Sequence, residues 1–157
     1  MVPSAPDPIE RARVLTALYI AQEQEGCLTP EGIRRVAQRL GMPENAVFST
    51  ASFYSLYRTK PSGRYVLQMC TGLSCWLAGG AERLVDYLEQ RLQIKLGETT
   101  EDGLFTLETV ECLAACGTAP VMRVNDELYE DLTMEKVDLL IDQLVVRAER
   151  RQAWTQS

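Results

Sequence analysis

Four cysteines in two short segments carry the chemistry that this sequence offers. Four residues separate Cys70 from Cys75, three separate Cys112 from Cys116, and thirty-six lie between the two pairs. Each pair follows a short run of residues typical of a β-strand. Two strand ends that lie side by side would bring the four sulfurs together. Four thiolates that converge from two loops indicate a metal site.

Thiolate ligands alone suit an iron–sulfur cluster or a structural zinc ion, and the spacing leaves both open. Structural zinc sites use short cysteine pairs much like the C-x4-C and C-x3-C pairs here. The plant-type ferredoxin arrangement differs, because three of its cysteines are close together and one is distant. A thiol–disulfide oxidoreductase is a third hypothesis. That chemistry places C-x-x-C after the first strand, and this sequence contains no such motif.

Small residues surround the four cysteines and predict close backbone packing there. They are Gly72, Ser74, Ala114, Ala115 and Gly117. Their size lets backbone N–H groups approach the sulfurs. A cluster that carries net negative charge needs such donors, and the donors help to set its reduction potential.

Length and composition narrow the functional class. A chain of 157 residues with a net charge of −6 predicts one domain, or one domain with a small extension, and disfavours nucleic acid as a partner. The absence of histidine excludes Ser-His-Asp and Cys-His catalysis and the two-histidine ligation of a Rieske centre. No apolar run approaches the ~20 residues that span a bilayer, so direct membrane insertion is not expected.

The first residues show no secretory signal pattern, which favours a reducing compartment. In such a compartment the cysteines are ligands or redox groups rather than a disulfide framework. Cys27 then has no partner, and it is interpreted as a spare, half-buried thiol.

A helical region is predicted first, over residues 1–60. Three prolines in residues 1–8 predict a mobile lead-in. Helical periodicity over residues 9–25, 30–40 and 43–58 predicts a small three-helix bundle. The aromatic residues of the third helix and its flank are expected to pack inside, with docking on a partner as the alternative. They are Phe48, Phe53, Tyr54 and Tyr57.

An α/β domain is predicted next, over residues 61–157. Strand patterns cover residues 65–69, 105–111, 120–125 and 127–129. Helices are predicted over residues 81–92 and from Thr133 to near Arg147, after which the chain is expected to fray, and residues 95–103 form a polar loop. The order β, α, β, β, α resembles a thioredoxin-like domain, in which both cysteine loops lie at the same end of the sheet.

Blocks of residues beyond the cysteine spacing point to one family. They are Leu18–Gln24, Ser52–Tyr54, Gly97–Thr100 with Asp102–Gly103, Glu111–Leu113 and Ala119–Pro120, in this order. With these blocks the chain resembles the NuoE family, the thioredoxin-like [2Fe–2S] subunit of NADH-quinone oxidoreductase (respiratory complex I). The resemblance covers about residues 10 to 145. Two residues depart from the family's pattern, since Ala114 stands where glycine is usual and Ser52 where threonine is usual.

The resemblance implies a thioredoxin-like [2Fe–2S] ferredoxin domain after a small N-terminal three-helix bundle. Cys70, Cys75, Cys112 and Cys116 would each give a thiolate to one binuclear cluster, and no residue of the chain would be catalytic. The main partner would be a flavoprotein subunit that binds FMN and NADH, beside other peripheral-arm subunits of the complex. This chain would exchange single electrons with that FMN and would act as an enzyme only as a subunit of the complex.

Two alternatives remain beside that interpretation. Hydrogenase and formate dehydrogenase complexes use the same flavoprotein pair, so the chain could be the equivalent diaphorase subunit of an NAD-dependent hydrogenase or formate dehydrogenase. A structural zinc module is the alternative from a different class. The expected location is the bacterial cytoplasm, on the inner face of the membrane through the complex, or the mitochondrial matrix side in a eukaryote.

Overall fold

The computed structural model describes residues 8–155, which divide into two compact units. The first unit ends at Pro61 and the second begins at Ser62. The predicted division into domains 1–60 and 61–157 stays a prediction. The lead-in expected over residues 1–8 lies outside the described residues except for Pro8, which begins the first helix.

The first unit contains the three expected helices. They are α1 (Pro8–Glu25), α2 (Pro30–Leu40) and α3 (Glu44–Phe53). Local signals set the ends of α2, because the Thr29 hydroxyl accepts a hydrogen bond from the Gly32 N–H at 3.0 Å and Gly41 ends the helix with a φ of 62°. One apolar core joins the helices and is formed by Val14, Leu18, Leu28, Ile33, Val36, Ala37, Val47, Ala51 and Tyr57.

The third helix ends at Phe53, earlier than the predicted end near Arg58. Tyr54 has an extended backbone, with φ −92° and ψ 122°. The segment that follows is bound by the buried side chain of Gln22 in α1, whose amide donates to the Leu56 carbonyl at 3.1 Å and accepts from the Arg58 N–H at 2.6 Å. These long-range hydrogen bonds replace helical ones, and periodicity along the chain cannot show them.

The aromatic residues near α3 are mostly on the surface. Tyr57 is buried, and its hydroxyl donates to the Leu15 carbonyl at 2.7 Å. Phe48, Phe53 and Tyr54 are 54%, 80% and 39% exposed. The expectation that these side chains pack inside is therefore wrong for three of the four.

The second unit is built on a four-stranded sheet. Its elements are β1 (Tyr65–Cys70), α4 (Leu73–Leu77), α5 (Ala81–Leu92), β2 (Phe105–Val110), β3 (Met122–Val124), β4 (Glu127–Tyr129) and α6 (Met134–Thr155). The strand order is β2-β1-β3-β4. Strands β1 and β2 are parallel, and β3 and β4 form an antiparallel hairpin beside β1. This βαβ unit followed by a hairpin and a helix is the predicted thioredoxin-like order.

Alternation along β1 places Leu67 and Met69 on one face and Gln68 on the other. Leu67 and Met69 point into the core that also receives α5 and α6. On the other face the Gln68 side chain donates to Glu108 on β2 at 2.9 Å and accepts from Arg123 on β3 at 2.6 Å. Apolar packing on one face and a side-chain hydrogen-bond network across three strands on the other thus both stabilise the sheet.

Three local features differ from the expectations or add to them. Helix α4 was not expected, because five residues are too few to show a helical period. Helix α6 continues to Thr155, past the expected fraying near Arg147. The polar loop over residues 95–103 lies along the outer edge of β2 and covers that edge, since the Gly97 N–H donates to the Leu107 carbonyl at 2.7 Å.

Within residues 8–155, no helix is long and apolar enough to cross a membrane.

Candidate metal centre

The four predicted site cysteines lie in two loops at one end of the sheet. Cys70 is the last residue of β1, and Cys75 lies within α4. Cys112 follows the end of β2, and Cys116 begins a short 3₁₀ turn. Cys70 and Cys75 are buried, whereas Cys112 and Cys116 are exposed. The group therefore has a buried pair and a solvent-facing pair.

Backbone contacts bring the two loops together. The Thr71 N–H donates to the Val110 carbonyl at 2.9 Å, which continues the β1–β2 ladder by one step. Gly72 then lies directly against Glu111. A Cβ on Gly72 would stand 2.7 Å from the Glu111 carbonyl oxygen, closer than real Cβ atoms come. Close approach of the two backbones thus requires glycine at this position.

Cys70 lies beside the second cysteine loop. Its sulfur is 3.9 Å from the Glu111 carbonyl oxygen, and a Cβ on Gly72 would stand 3.6 Å from this sulfur and 3.7 Å from the Cys112 Cβ. The structure therefore places the four predicted residues near one another, where β1 and β2 end. Cys27 lies in the first unit and is buried, with 6% of its surface exposed, rather than half-buried as expected.

The buried thiols differ in their affinity for protons. Burial raises the pKa of Cys70, but N–H hydrogen bonds from Gly72 and Leu113, with the neighbouring thiols, outweigh burial and hold this pKa below its usual value. Burial also raises the pKa of Cys75, and the Val121 N–H offsets only part of that effect, so this pKa lies above its usual value. A metal bound at Cys75 would favour its thiolate form.

The loop between Cys112 and Cys116 contains an unusual backbone. Ala114 has a φ of 59°, in the left-handed region that favours glycine. Its N–H donates to the Cys112 sulfur at 3.3 Å. The sequence has alanine where the resembled family usually has glycine, and the backbone at this position is one that glycine adopts freely.

The donor set fits a binuclear iron–sulfur cluster. Among residues 8–155, no three or more cysteine or carboxylate side chains are placed as a group that could hold one metal ion, so the fit rests on the types of the four donors. A binuclear cluster takes its four thiolates in pairs, two on each iron. Four thiols with backbone N–H groups directed at their sulfurs supply the ligands and the hydrogen bonds that such a cluster needs.

Exposed apolar side chains lie beside the thiols, in uncharged stretches of the sequence. No charged residue occurs from Tyr65 to Ala81 or from Cys112 to Met122. On α4, the side chains of Leu73, Trp76 and Leu77 are 72%, 54% and 68% exposed. Sequence reasoning missed this surface because α4 is too short to show a period. The uncharged runs around the cysteines were the signal that could have indicated it.

Fold and site together define a class of protein, a thioredoxin-like domain that carries four thiols where its two parallel strands end. The family model described as thioredoxin-like [2Fe–2S] ferredoxin matches residues 4–145. The chain belongs to this family. The predicted fold class is thereby confirmed.

Curated relatives are similar over most of their own length. An NADH-quinone oxidoreductase subunit of Rhizobium meliloti is 45% identical over 135 residues, which are 86% of this chain and 80% of that protein. NADH-quinone oxidoreductase subunit 2 of Thermus thermophilus is 47% identical over 132 residues, which are 83% of this chain and 72% of that protein. These relatives confirm the resemblance found in the sequence.

A solved structure shares the fold at lower sequence identity. The NAD+-reducing [NiFe]-hydrogenase in its air-oxidised state aligns with a TM-score of 0.72 and 21% identity. The alignment covers 83% of this chain and 23% of that chain, so this protein spans about a quarter of the hydrogenase chain it matches. At this identity the likeness shows the fold alone.

Proposed function

We propose that this protein is an electron-transfer subunit of an NADH-quinone oxidoreductase and holds one [2Fe–2S] cluster on Cys70, Cys75, Cys112 and Cys116. The observation that carries the proposal is the placement of these four cysteines where β1 and β2 end, in a chain whose curated relatives are subunits of that enzyme. The cluster supplies one-electron chemistry when it is bound. The chain then contributes to an oxidoreductase as a subunit and has no catalytic residue of its own.

Each part of the site has a role in this proposal. The buried pair, Cys70 and Cys75, anchors the cluster to the sheet and α4, while Cys112 and Cys116 hold its solvent-facing side. Backbone N–H groups directed at the sulfurs stabilise the negative charge of the cluster. The proposed domain 61–157 contains the whole ligand set, and the proposed domain 1–60 adds exposed aromatic side chains for assembly.

The proposed partner is a flavoprotein subunit that binds FMN and NADH. Carriers that meet their partners transiently use complementary charge to steer the encounter. The surface beside the thiols instead exposes Leu73, Trp76 and Leu77 within an uncharged run. An apolar surface of this kind supports a permanent subunit interface. We also propose that the chain contacts other peripheral-arm subunits of the complex. Through the complex it would lie on the inner side of the membrane, or on the matrix side in a eukaryote.

Replacing Leu73 with glutamate is expected to weaken binding of that flavoprotein at least tenfold without affecting the cluster. The substitution buries a carboxylate in an apolar interface, which is costly unless the charge is paired. Leu139→Glu is the matched control, because Leu139 is 62% exposed on α6, in the same unit. The measurement is NADH-driven reduction of the cluster as a function of flavoprotein concentration. Equal affinities for both variants would place the interface elsewhere.

The diaphorase subunit of an NAD-dependent hydrogenase or formate dehydrogenase is the second candidate. The shared fold with part of a NAD+-reducing [NiFe]-hydrogenase chain favours it. The first candidate is preferred, because the quinone oxidoreductase relatives are 45% and 47% identical to this chain. Co-purification of the chain from its own cells, with either quinone reductase or hydrogenase activity, distinguishes the two.

The deciding experiment is EPR spectroscopy of the purified chain, as isolated and after reduction with dithionite, with iron and zinc counted on the same sample. We expect a rhombic signal that appears only on reduction, together with about two irons per chain. A colourless, EPR-silent protein with about one zinc per chain, also after anaerobic purification, would establish a structural zinc module instead.

A further inference from the structure

Ala114 is the residue of the site whose type fits its backbone conformation least. Four non-glycine residues in the described part of the chain have a positive φ, and Ala114 alone lies within a cysteine loop. Its φ of 59° is rare for a residue with a Cβ and persists only where the surrounding structure holds it. Such a conformation between two proposed ligands calls for an explanation at the site.

The conformation directs a backbone N–H group toward a sulfur. The Ala114 N–H donates to the sulfur of Cys112 at 3.3 Å. The buried thiol of Cys70 lies nearby, since a Cβ on Gly72 would stand 3.6 Å from the Cys70 sulfur and 3.7 Å from the Cys112 Cβ. Backbone N–H groups that a left-handed residue orients toward one point bind anions and recur at iron–sulfur sites.

We propose that Ala114 is a positioning residue that raises the reduction potential of the cluster, because its left-handed backbone directs its N–H group at the sulfur of Cys112. The inference rests on the proposed function, since it requires a cluster on these thiols. Reduction adds one electron, and therefore one negative charge, without forming or breaking a bond to the chain. N–H donors stabilise that added charge, so the reduced state is favoured.

The test is a redox titration of the full chain followed by the EPR signal of the reduced cluster. Ala114→Gly and Ala114→Asn introduce residues that adopt a positive φ, and they are expected to keep the wild-type potential. Ala114→Val introduces a β-branched residue that resists this conformation, and it is expected to shift the potential to a more negative value. Ala115→Val is the matched control. It makes the same change at the next residue, whose φ is −112°, and should leave the potential unchanged.

Two results of the titration would overturn the inference. One is a wild-type potential in an Ala114→Val variant with full iron content. The other is an equal shift in Ala115→Val, which would assign the effect to crowding in the loop. A wild-type chain that never shows the reduced signal would instead overturn the proposed function, so the two failures are distinguishable.

A second measurement keeps the inference testable if Ala114→Val binds no iron. In the wild-type protein labelled with ¹⁵N-alanine, pulsed EPR of the reduced cluster is expected to detect a ¹⁵N coupling through the hydrogen bond from Ala114 to Cys112. Ala114→Gly removes the label at that position and should abolish the coupling. A wild-type spectrum without ¹⁵N coupling, or a coupling that persists in Ala114→Gly, would overturn the inference.

Discussion

Replacement of Cys70 by alanine is expected to remove most of the iron that the wild-type chain binds. Cys70 is buried at the end of β1, and its sulfur lies 3.9 Å from the carbonyl oxygen of Glu111, the residue before Cys112. Without it three thiolates remain, and one iron loses a ligand from the buried side, where no other thiol can take its place. Cys112→Ala is expected to act in the same direction. The measurements are iron per chain and the visible and EPR spectra of the reduced protein.

Cys27→Ala is the matched control for this experiment. The same side chain is removed from another buried position, which lies in the first unit. Iron content and spectra are expected to equal those of the wild type. Normal iron and an unchanged spectrum in Cys70→Ala or Cys112→Ala would disprove the ligand assignment, and iron loss in Cys27→Ala would show that the ligands were counted wrongly.

Substitution of Gly72 by alanine is expected to destabilise the domain and to lower its cluster content. The new Cβ would stand 2.7 Å from the Glu111 carbonyl oxygen and 3.6 Å from the Cys70 sulfur. Because the neighbouring atom is backbone, the two cysteine loops must move apart. Overpacking of this kind costs about 1–3 kcal/mol of unfolding free energy. Denaturant unfolding of the metal-free, reduced chain measures the stability, and iron per chain measures the site.

Gly117→Ala is the control for Gly72→Ala. Gly117 follows Cys116 in the other loop, and a Cβ there would meet no atom within 4 Å. We expect this variant to unfold at the wild-type denaturant concentration and to bind a full complement of iron. Equal stability of the two variants would contradict the close approach of the loops, and equal iron loss would show that any added side chain near a ligand disturbs the cluster.

Much of the second unit was predictable because its signals are local. The alternation of Phe105 and Leu107 with polar neighbours predicted β2, and the order β, α, β predicted that the two cysteine loops follow neighbouring strands at one end of the sheet. The register that pairs Cys70 with Val110 bears out the expectation that both loops leave the sheet at the same end. Residue blocks outside the cysteines identified the family, which the family model and the curated relatives confirm.

The errors lie where long-range contacts decide the local structure. Helix α3 was expected to continue to Arg58, but the buried side chain of Gln22 binds the segment beyond Phe53 and holds it outside the helix. Phe48 and Phe53 were expected inside, yet they are exposed, because residue type alone does not show which side of a short helix finds a partner.

By itself, the sequence determined the thiol chemistry, the two-region organisation as a prediction, and the family. These depend on residue types and on spacing along the chain. Only the tertiary structure decided which thiols are buried and how closely Gly72 approaches Glu111. The physical reason is that these properties arise between segments about forty residues apart, where backbone packing rather than local propensity sets the geometry.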